Sequence, residues 1–332
     1  MEERSVSFEI RQPVQESSNI YSWTQLESSS HNMGTERITP AELPDPRYEY
    51  GADDHVFVEL AEEMSFTANF KAMAITQQVA EREIDGIVEN CPANASYMVR
   101  IDPDVIHPDE VIAELKEIEA SIDIENYEWE TRIIDIPVLF ADPWTHETVM
   151  EFRERHQDPD ATDLEYSAEL NGFDSAEDFI DAFVGAPHMV TMVGFVPGLP
   201  WCFQMVPRSE QLEVPKYVEP RTDTPSRAVG FGGAFSVVYP VQGAGGYQLY
   251  GRTPVEVLDT DQTLPDFGDS MVLPNPGDIL NYRRIDRDEY DAIREEVEAG
   301  TYEYTYETVE FSTDEFFESP HEYNEQLVEV IE

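Results

Sequence analysis

Three stretches rich in glycine and proline hold the residues best suited to chemistry. The first is GFVPGLPW, Gly194 to Trp201, in which Gly194, Phe195, Pro197 and Gly198 form a turn-prone core. Such a segment fixes one chain path and lets another group come close to the backbone. The second is VPKYVEPRTDTP, Val214 to Pro225, which sets Lys216 and Arg221 on a proline-stiffened loop. The third, YPVQGAGGYQLYGRTP, Tyr239 to Pro254, holds Gly245, Gly246, Tyr247, Gln248, Arg252 and Thr253. Arginine on a rigid loop suits two-pronged capture of a carboxylate, carbamate or phosphate. Backbone N–H groups around Gly194–Gly198 and Gly245–Gly246 suit a developing oxyanion. The same residues also serve as tight turns between the strands of a barrel. The sequence names no general base. It contains neither a G-x-S-x-G elbow nor a P-loop. His31, His55, His107, His146, His156 and His188 lack metal-ligand spacing and read as surface or packing residues.

These stretches need a scaffold, and hydrophobic periodicity outlines it. Between residues 48 and 140 a strand, Val56 to Leu60, precedes a helical pattern with Phe66, Phe70 and Met73 on one face. Ile87 to Glu89 and Tyr97 to Ile101 read as strands separated by the turn-prone Cys91-Pro92-Ala93-Asn94. A second helix opens at Pro108, with the stripe Val111, Leu115, Ile118 and Ile122, and Ile133 to Val138 closes the unit as a strand. The order β-α-β-β-α-β is that of a ferredoxin-like split βαβ domain, assigned here to residues 47–140. Residues 142–185 read as a helical insertion, with Ser175 and Asp178 placed as a helix start. From Val190 to Tyr282 short strands and turns alternate closely, which indicates an all-β barrel or sandwich within 141–300. A last helix, Asp286 to Ala299, stops at Gly300. Residues 1–46 read as a flexible or peripheral arm, and 301–332 as an acidic tail that forms an edge strand or stays loose. The fold class is α+β.

The charge balance limits the partners. Seventy acidic residues face 20 basic ones, for a formal net charge of −50, and only Lys71, Lys116 and Lys216 are lysines. Nucleic acid and anionic membranes need a basic face, so neither is an expected partner. Acidity with lysine depletion points to a salt-rich, halophilic cytosol, where screening removes the self-repulsion. No apolar run reaches the length needed to span a bilayer and no secretory signal opens the chain, so a cytoplasmic protein is expected. Cys91 and Cys202 read as reduced thiols.

In order and spacing the three stretches resemble those of the family that unites the 5-oxoprolinase B subunit, allophanate hydrolase subunit 1 and the carboxyltransferase C/D subdomains. A GFxPGFPYL run is there followed by a PR-x-x-x-PR loop, a strand ending in YP, and PGGWxLIGRTP. Here the counterparts are GFVPGLPW, Pro215-Lys216 with Pro220-Arg221, Tyr239-Pro240, and AGGYQLYGRTP. The resemblance covers roughly residues 48–300. It implies a ferredoxin-like domain followed by a cyclophilin-like β-barrel, with the substrate-binding residues in the three stretches. It also implies an ATP-dependent hydrolase of an amide, lactam or ureido C–N bond, active only with a larger companion subunit. A His-Ser pair of the family falls on Phe183 and Val184, a Gly-Ser pair on Arg227 and Ala228, a Gln-Thr pair on Phe235 and Ser236, and the GGW tryptophan on Tyr247. These departures argue against 5-oxoproline itself. The ending PGDILNYRRIDRDEYDAIREEVEAGTYEY looks like that of urea-carboxylase-type domains. Two alternatives therefore stand: a carboxyltransferase half-site served by biotin on a partner, and a KipI-like inhibitor of a sensor histidine kinase.

Overall fold

The computed structural model describes residues 36–332. Residues 1–35, most of the expected arm, lie outside that range. The end of the arm is docked rather than loose: Ile38 donates its N–H to the Phe317 carbonyl at 2.8 Å, and Ala41 to Thr67 Oγ1 at 2.9 Å.

The first sheet is built from β1 (Arg47–Gly51), β2 (His55–Glu59), α1 (Phe66–Arg82), β3 (Ile87–Pro92), β4 (Ser96–Ile101) and α2 (Pro108–Ser121). Its four antiparallel strands run in the order β1-β2-β4-β3. In β4, Tyr97, Val99 and Ile101 turn inward while Met98 and Arg100 face out, the two-residue period of a half-buried strand. The inward face packs under the helices against Ala72, Ile75, Val79, Val111, Leu115 and Ile118. Helix α1 starts where extended Ser65 accepts the Ala68 N–H at 3.2 Å. Helix α2 starts at Pro108, where a missing N–H breaks no helical bond.

The chain continues through β5 (Glu128–Phe140), α3 (Pro143–Glu151), α4 (Asp163–Leu170), α5 (Ala176–Val184), β6 (His188–Val193), β7 (Pro200–Gln204), β8 (Arg221–Thr224) and β9 (Ala228–Gly232). Next come β10 (Phe235–Val238), β11 (Gly243–Gly245), β12 (Gln248–Arg252), β13 (Ile279–Arg284), α6 (Arg287–Ala299), β14 (Tyr306–Ser312), α7 (Thr313–Glu318) and α8 (Pro320–Glu329). Eight strands form one sheet in the order β12-β9-β10-β7-β6-β13-β5-β14. β12 also pairs with β5, placing Gly251 opposite Phe140 and Arg252 opposite Leu139. β8 and β11 form a separate ribbon. The architecture is mixed α/β with a large sheet.

One expectation is corrected and one open alternative is decided. The strand over Ile133–Val138 does not close the first sheet; β5 lies in the large one, parallel to β13 and antiparallel to β14, and β1 takes the fourth place in the first sheet. The cause is in the residues: 133–138 are buried on both faces, which suits a central strand and not the edge of a sheet with one wet face. Of the two readings of 301–332, the edge strand holds and the loose tail does not. β14 pairs with β5 from Tyr306 opposite Ile134 to Ser312 opposite Glu128, and α7 and α8 bury Phe316, Phe317, Tyr323 and Leu327. These side chains meet Phe66 and Phe70 of α1 together with Ile133, Phe203 and Phe311 in one aromatic cluster. Among the described residues no helix is long and apolar enough to cross a membrane.

Candidate functional site

Lys216 occupies an exposed loop between two anchored ends. On one side Val214 and Gly233 exchange both backbone bonds, at 2.9 and 2.7 Å. On the other, the Tyr217 N–H donates to the Gly246 carbonyl at 2.7 Å, and Arg155 Nη1 to the Pro220 carbonyl at 2.8 Å. Gln248 Nε2 donates to the Pro215 carbonyl at 2.8 Å, and Gln157 to that of Lys216. So held, the Lys216 ammonium stands 5.0 Å from the centre of the Tyr247 ring and 5.5 Å from that of Trp201. Trp201 packs edge-on against both Tyr247 and half-buried Phe235. Burial pushes the Tyr247 phenol well above its ordinary range, so it stays protonated.

The β6–β7 connection borders this platform through Val196 and Leu199, which pack with Trp201, Tyr239 and Tyr247. Its Gly194 N–H is committed to the Leu199 carbonyl at 3.0 Å, so this donor does not serve an oxyanion as expected. Phe195, at φ +74°, holds a left-handed backbone and an exposed ring. Gly198, at φ +78°, lies where a Cβ would stand 3.1 Å from Leu258 Cβ, and Pro197 between them is exposed.

Beneath the loop lies a buried polar network. Asp163 accepts from Arg153 Nη1 at 2.5 Å, from the Tyr217 hydroxyl at 2.7 Å and from the Leu249 N–H at 2.7 Å. The Tyr217 phenol is held well above its usual range by burial and by the Asp163 charge. His156 Nδ1 faces two fixed donors, the Asp158 N–H at 2.9 Å and Arg153 Nη2 at 2.7 Å, against one acceptor, the Asp158 carbonyl at 2.8 Å. Nδ1 is therefore the acceptor, and Nε2 carries the proton it donates to Gln248 Oε1 at 2.8 Å. His156 is thus a bonded interior group rather than a surface one. Gln248 is turned inward as the link between His156 and the Lys216 loop. Arg153, His156, Asp163 and Tyr217 escaped the sequence reading. The one available signal was the Thr162-x-x-Glu165 capping box, which fixes Asp163 at the start of α4.

Arg221 lies in the interior, 0% exposed, opposite Gly245 in the β8–β11 ribbon and against the ring of Tyr217. It is close to the Lys216 loop in sequence but sealed from the solvent that Lys216 meets. Arg252 and Thr253 are not brought to Lys216. Arg252 Nε donates to the Ser226 carbonyl at 3.1 Å and its guanidinium lies over Trp144 at 5.3 Å, while buried Thr253 Oγ1 accepts the Val255 N–H at 3.3 Å. Arg227 beside them adopts φ +64°, the left-handed region that favours glycine. Burial, with repulsion from Arg252 and Arg294, holds its guanidinium below the ordinary value.

The family described as "Carboxyltransferase domain, subdomain C and D" matches residues 46–267. The B subunit of 5-oxoprolinase from Bacillus subtilis (strain 168) is 28% identical over 253 residues, 74% of this chain and 95% of that protein. The urea amidolyase of Saccharomyces cerevisiae is 28% identical over 275 residues, 81% of this chain, which spans 15% of the amidolyase. The crystal structure of the Kluyveromyces lactis urea carboxylase shares the fold with a TM-score of 0.72 at 23% identity, over 88% of this chain and 27% of that one. The match takes in the first sheet, six of the eight strands of the large one and all three glycine-rich stretches, and the chain belongs to the carboxyltransferase C/D-subdomain family.

Proposed function

We propose that the chain is one subunit of a heteromeric, ATP-dependent enzyme acting on an amide, lactam or ureido C–N bond, with a larger companion subunit completing the site. The observation that carries this reading is Lys216. In a chain of net charge −50 it is an exposed cation, paired with no carboxylate among the described residues and set over Tyr247 and Trp201. A small molecule with a carboxylate or carbonyl oxygen fits that arrangement: the oxygen meets the ammonium, which the Tyr247 and Trp201 rings hold in place. As a nucleophile adds to the carbonyl carbon, charge grows on that oxygen, and a fixed ammonium stabilises it more than the ground state. The general base belongs to the companion. So does ATP: a triphosphate needs several converging cations or free N–H groups, and this site exposes one lysine. The four-stranded sheet under two helices supports a ferredoxin-like first domain with β1 as its fourth strand. The β12–β5 pairing, which joins seven strands of the large sheet into a ring and leaves β14 outside it, supports a cyclophilin-like barrel.

Likeness to urea amidolyase over 81% of the chain supports a second reading, in which the same site receives a carboxyl group from biotin carried by a partner. Co-purification of the tagged chain in high salt, with partners identified and recombined, separates the two. The lone chain is expected to hydrolyse neither 5-oxoproline nor allophanate, and ATP-dependent hydrolysis is expected once the companion is added. A biotin carboxylase as partner would favour the second reading; robust turnover by the lone chain would sink the shared site. Lys216→Met should lower kcat/KM of the complex by about 10- to 100-fold, the worth of a hydrogen bond to a charged group, with Tm unchanged.

A further inference from the structure

Arg221 is a fully buried guanidinium without a counter-charge. Its Nε lies 3.3 Å from Thr224 Oγ1, and its central carbon 4.6 Å from the centre of the Tyr217 ring. Nη1 and Nη2 are cut off from solvent and make no hydrogen bond of good geometry, although the Tyr239 hydroxyl is near enough for the guanidinium charge to act on it. No carboxylate among the described residues stands within ion-pair distance of it. Asp163, on the hydroxyl of the same Tyr217, is already taken by Arg153, that hydroxyl and the Leu249 N–H. This interior holds two guanidinium groups, of Arg153 and Arg221, against the one carboxylate of Asp163. An arginine keeps its charge in proteins, and a buried charge needs a partner and filled donors. The Tyr217 ring covers a face of the guanidinium and leaves its in-plane N–H groups unmet. The surroundings are hydroxylic: Tyr239 Oη and Thr224 Oγ1 lie 2.6 and 2.8 Å from where a Cβ on Gly245 would stand.

We propose that Arg221 forms an internal anion site that takes a small monovalent anion of about chloride size, with the Thr224 and Tyr239 hydroxyls beside it. A larger ligand would require the 215–220 loop to leave, and that loop is tied through Pro215, Tyr217 and Pro220. The site is separate from the solvent-facing Lys216, and its test does not depend on the enzymatic reading.

The test is the Tm of the full chain at one fixed, high ionic strength in potassium chloride, bromide, formate and gluconate. Screening of the net charge is equal in all four. Arg221→Met supplies the baseline of general salt effects, and Arg221→Lys keeps the charge but loses the fork. Chloride and bromide are expected to raise the wild-type Tm by a few degrees over gluconate, saturably, beyond that baseline. The excess should vanish in Arg221→Met and shrink in Arg221→Lys. An equal anion ordering in the wild type and Arg221→Met overturns the proposal, and so does stabilisation by formate without the halides. Should the variants fail to fold, wild-type crystals grown in bromide decide: an anomalous peak against Nη1 and Nη2 supports the site, and a map without one overturns it.

Discussion

His188 is fully buried, donating Nε2–H to the Phe183 carbonyl at 3.0 Å and accepting at Nδ1 from the Ser236 hydroxyl at 3.0 Å. Burial lowers its pKa from 6.5 to about 4, so it stays neutral in the fold. Between those values the unfolded chain binds the proton that the folded one refuses, and stability falls as pH falls. The full term is about 3 kcal/mol, present above about pH 6.5 and gone below about pH 4. Asp135, Asp142 and Asp278 act in the opposite direction, because burial raises their carboxyls. A comparison with His188→Gln isolates the histidine: the wild type's advantage in urea unfolding should shrink by about 2 kcal/mol from pH 7 to pH 5. An advantage that holds constant would show that His188 titrates normally. Asp163→Asn should be severe. It leaves Arg153 buried and unpaired, a loss of about 3–5 kcal/mol in the same assay.

At the scale of elements, helices were the most legible. Three marked their own starts: Pro108 in α2, Ser175 before α5 and Asp286 before α6, whose end at Gly300 takes the left-handed conformation. Strand membership was less so, because β5 reads as a strand in either sheet and only its two-sided burial decides between them. The acidic composition of 301–332 hid an amphipathic segment whose aromatic side faces inward. In the site, Lys216 and Tyr247 were legible because glycine and proline mark their loops. The Arg153–Asp163–His156 network was not, since its members come from separate segments and their types are common on surfaces. The C-terminal helices can be tested directly. Phe316 is fully buried against Phe66, Phe70 and Phe311, so Phe316→Ala should cost about 3–5 kcal/mol by chemical denaturation. A loss under about 1 kcal/mol would mean that the segment adds little to the core.

For the whole molecule, the net charge of −50 dominates behaviour in solution. Many of its arginines are engaged with carboxylates, including Arg47, Arg132, Arg283 and Arg294, so repulsion among the remaining acids is unrelieved in dilute buffer. The Tm should rise continuously between about 0.1 M and about 3 M potassium chloride, as screening shortens to about 3 Å near 1 M. A flat or falling Tm would show that the surface charge does not limit stability. The aromatic cluster joining α1 to α7 and α8 also bears on synthesis. Phe66 and Phe70 leave the ribosome long before Phe311, Phe316 and Phe317 exist to cover them. At about 5–20 residues per second, the nascent chain spends many seconds with that aromatic surface open. A holdase that shields such surfaces should bind the growing chain through α1 and let go only after the last helices emerge.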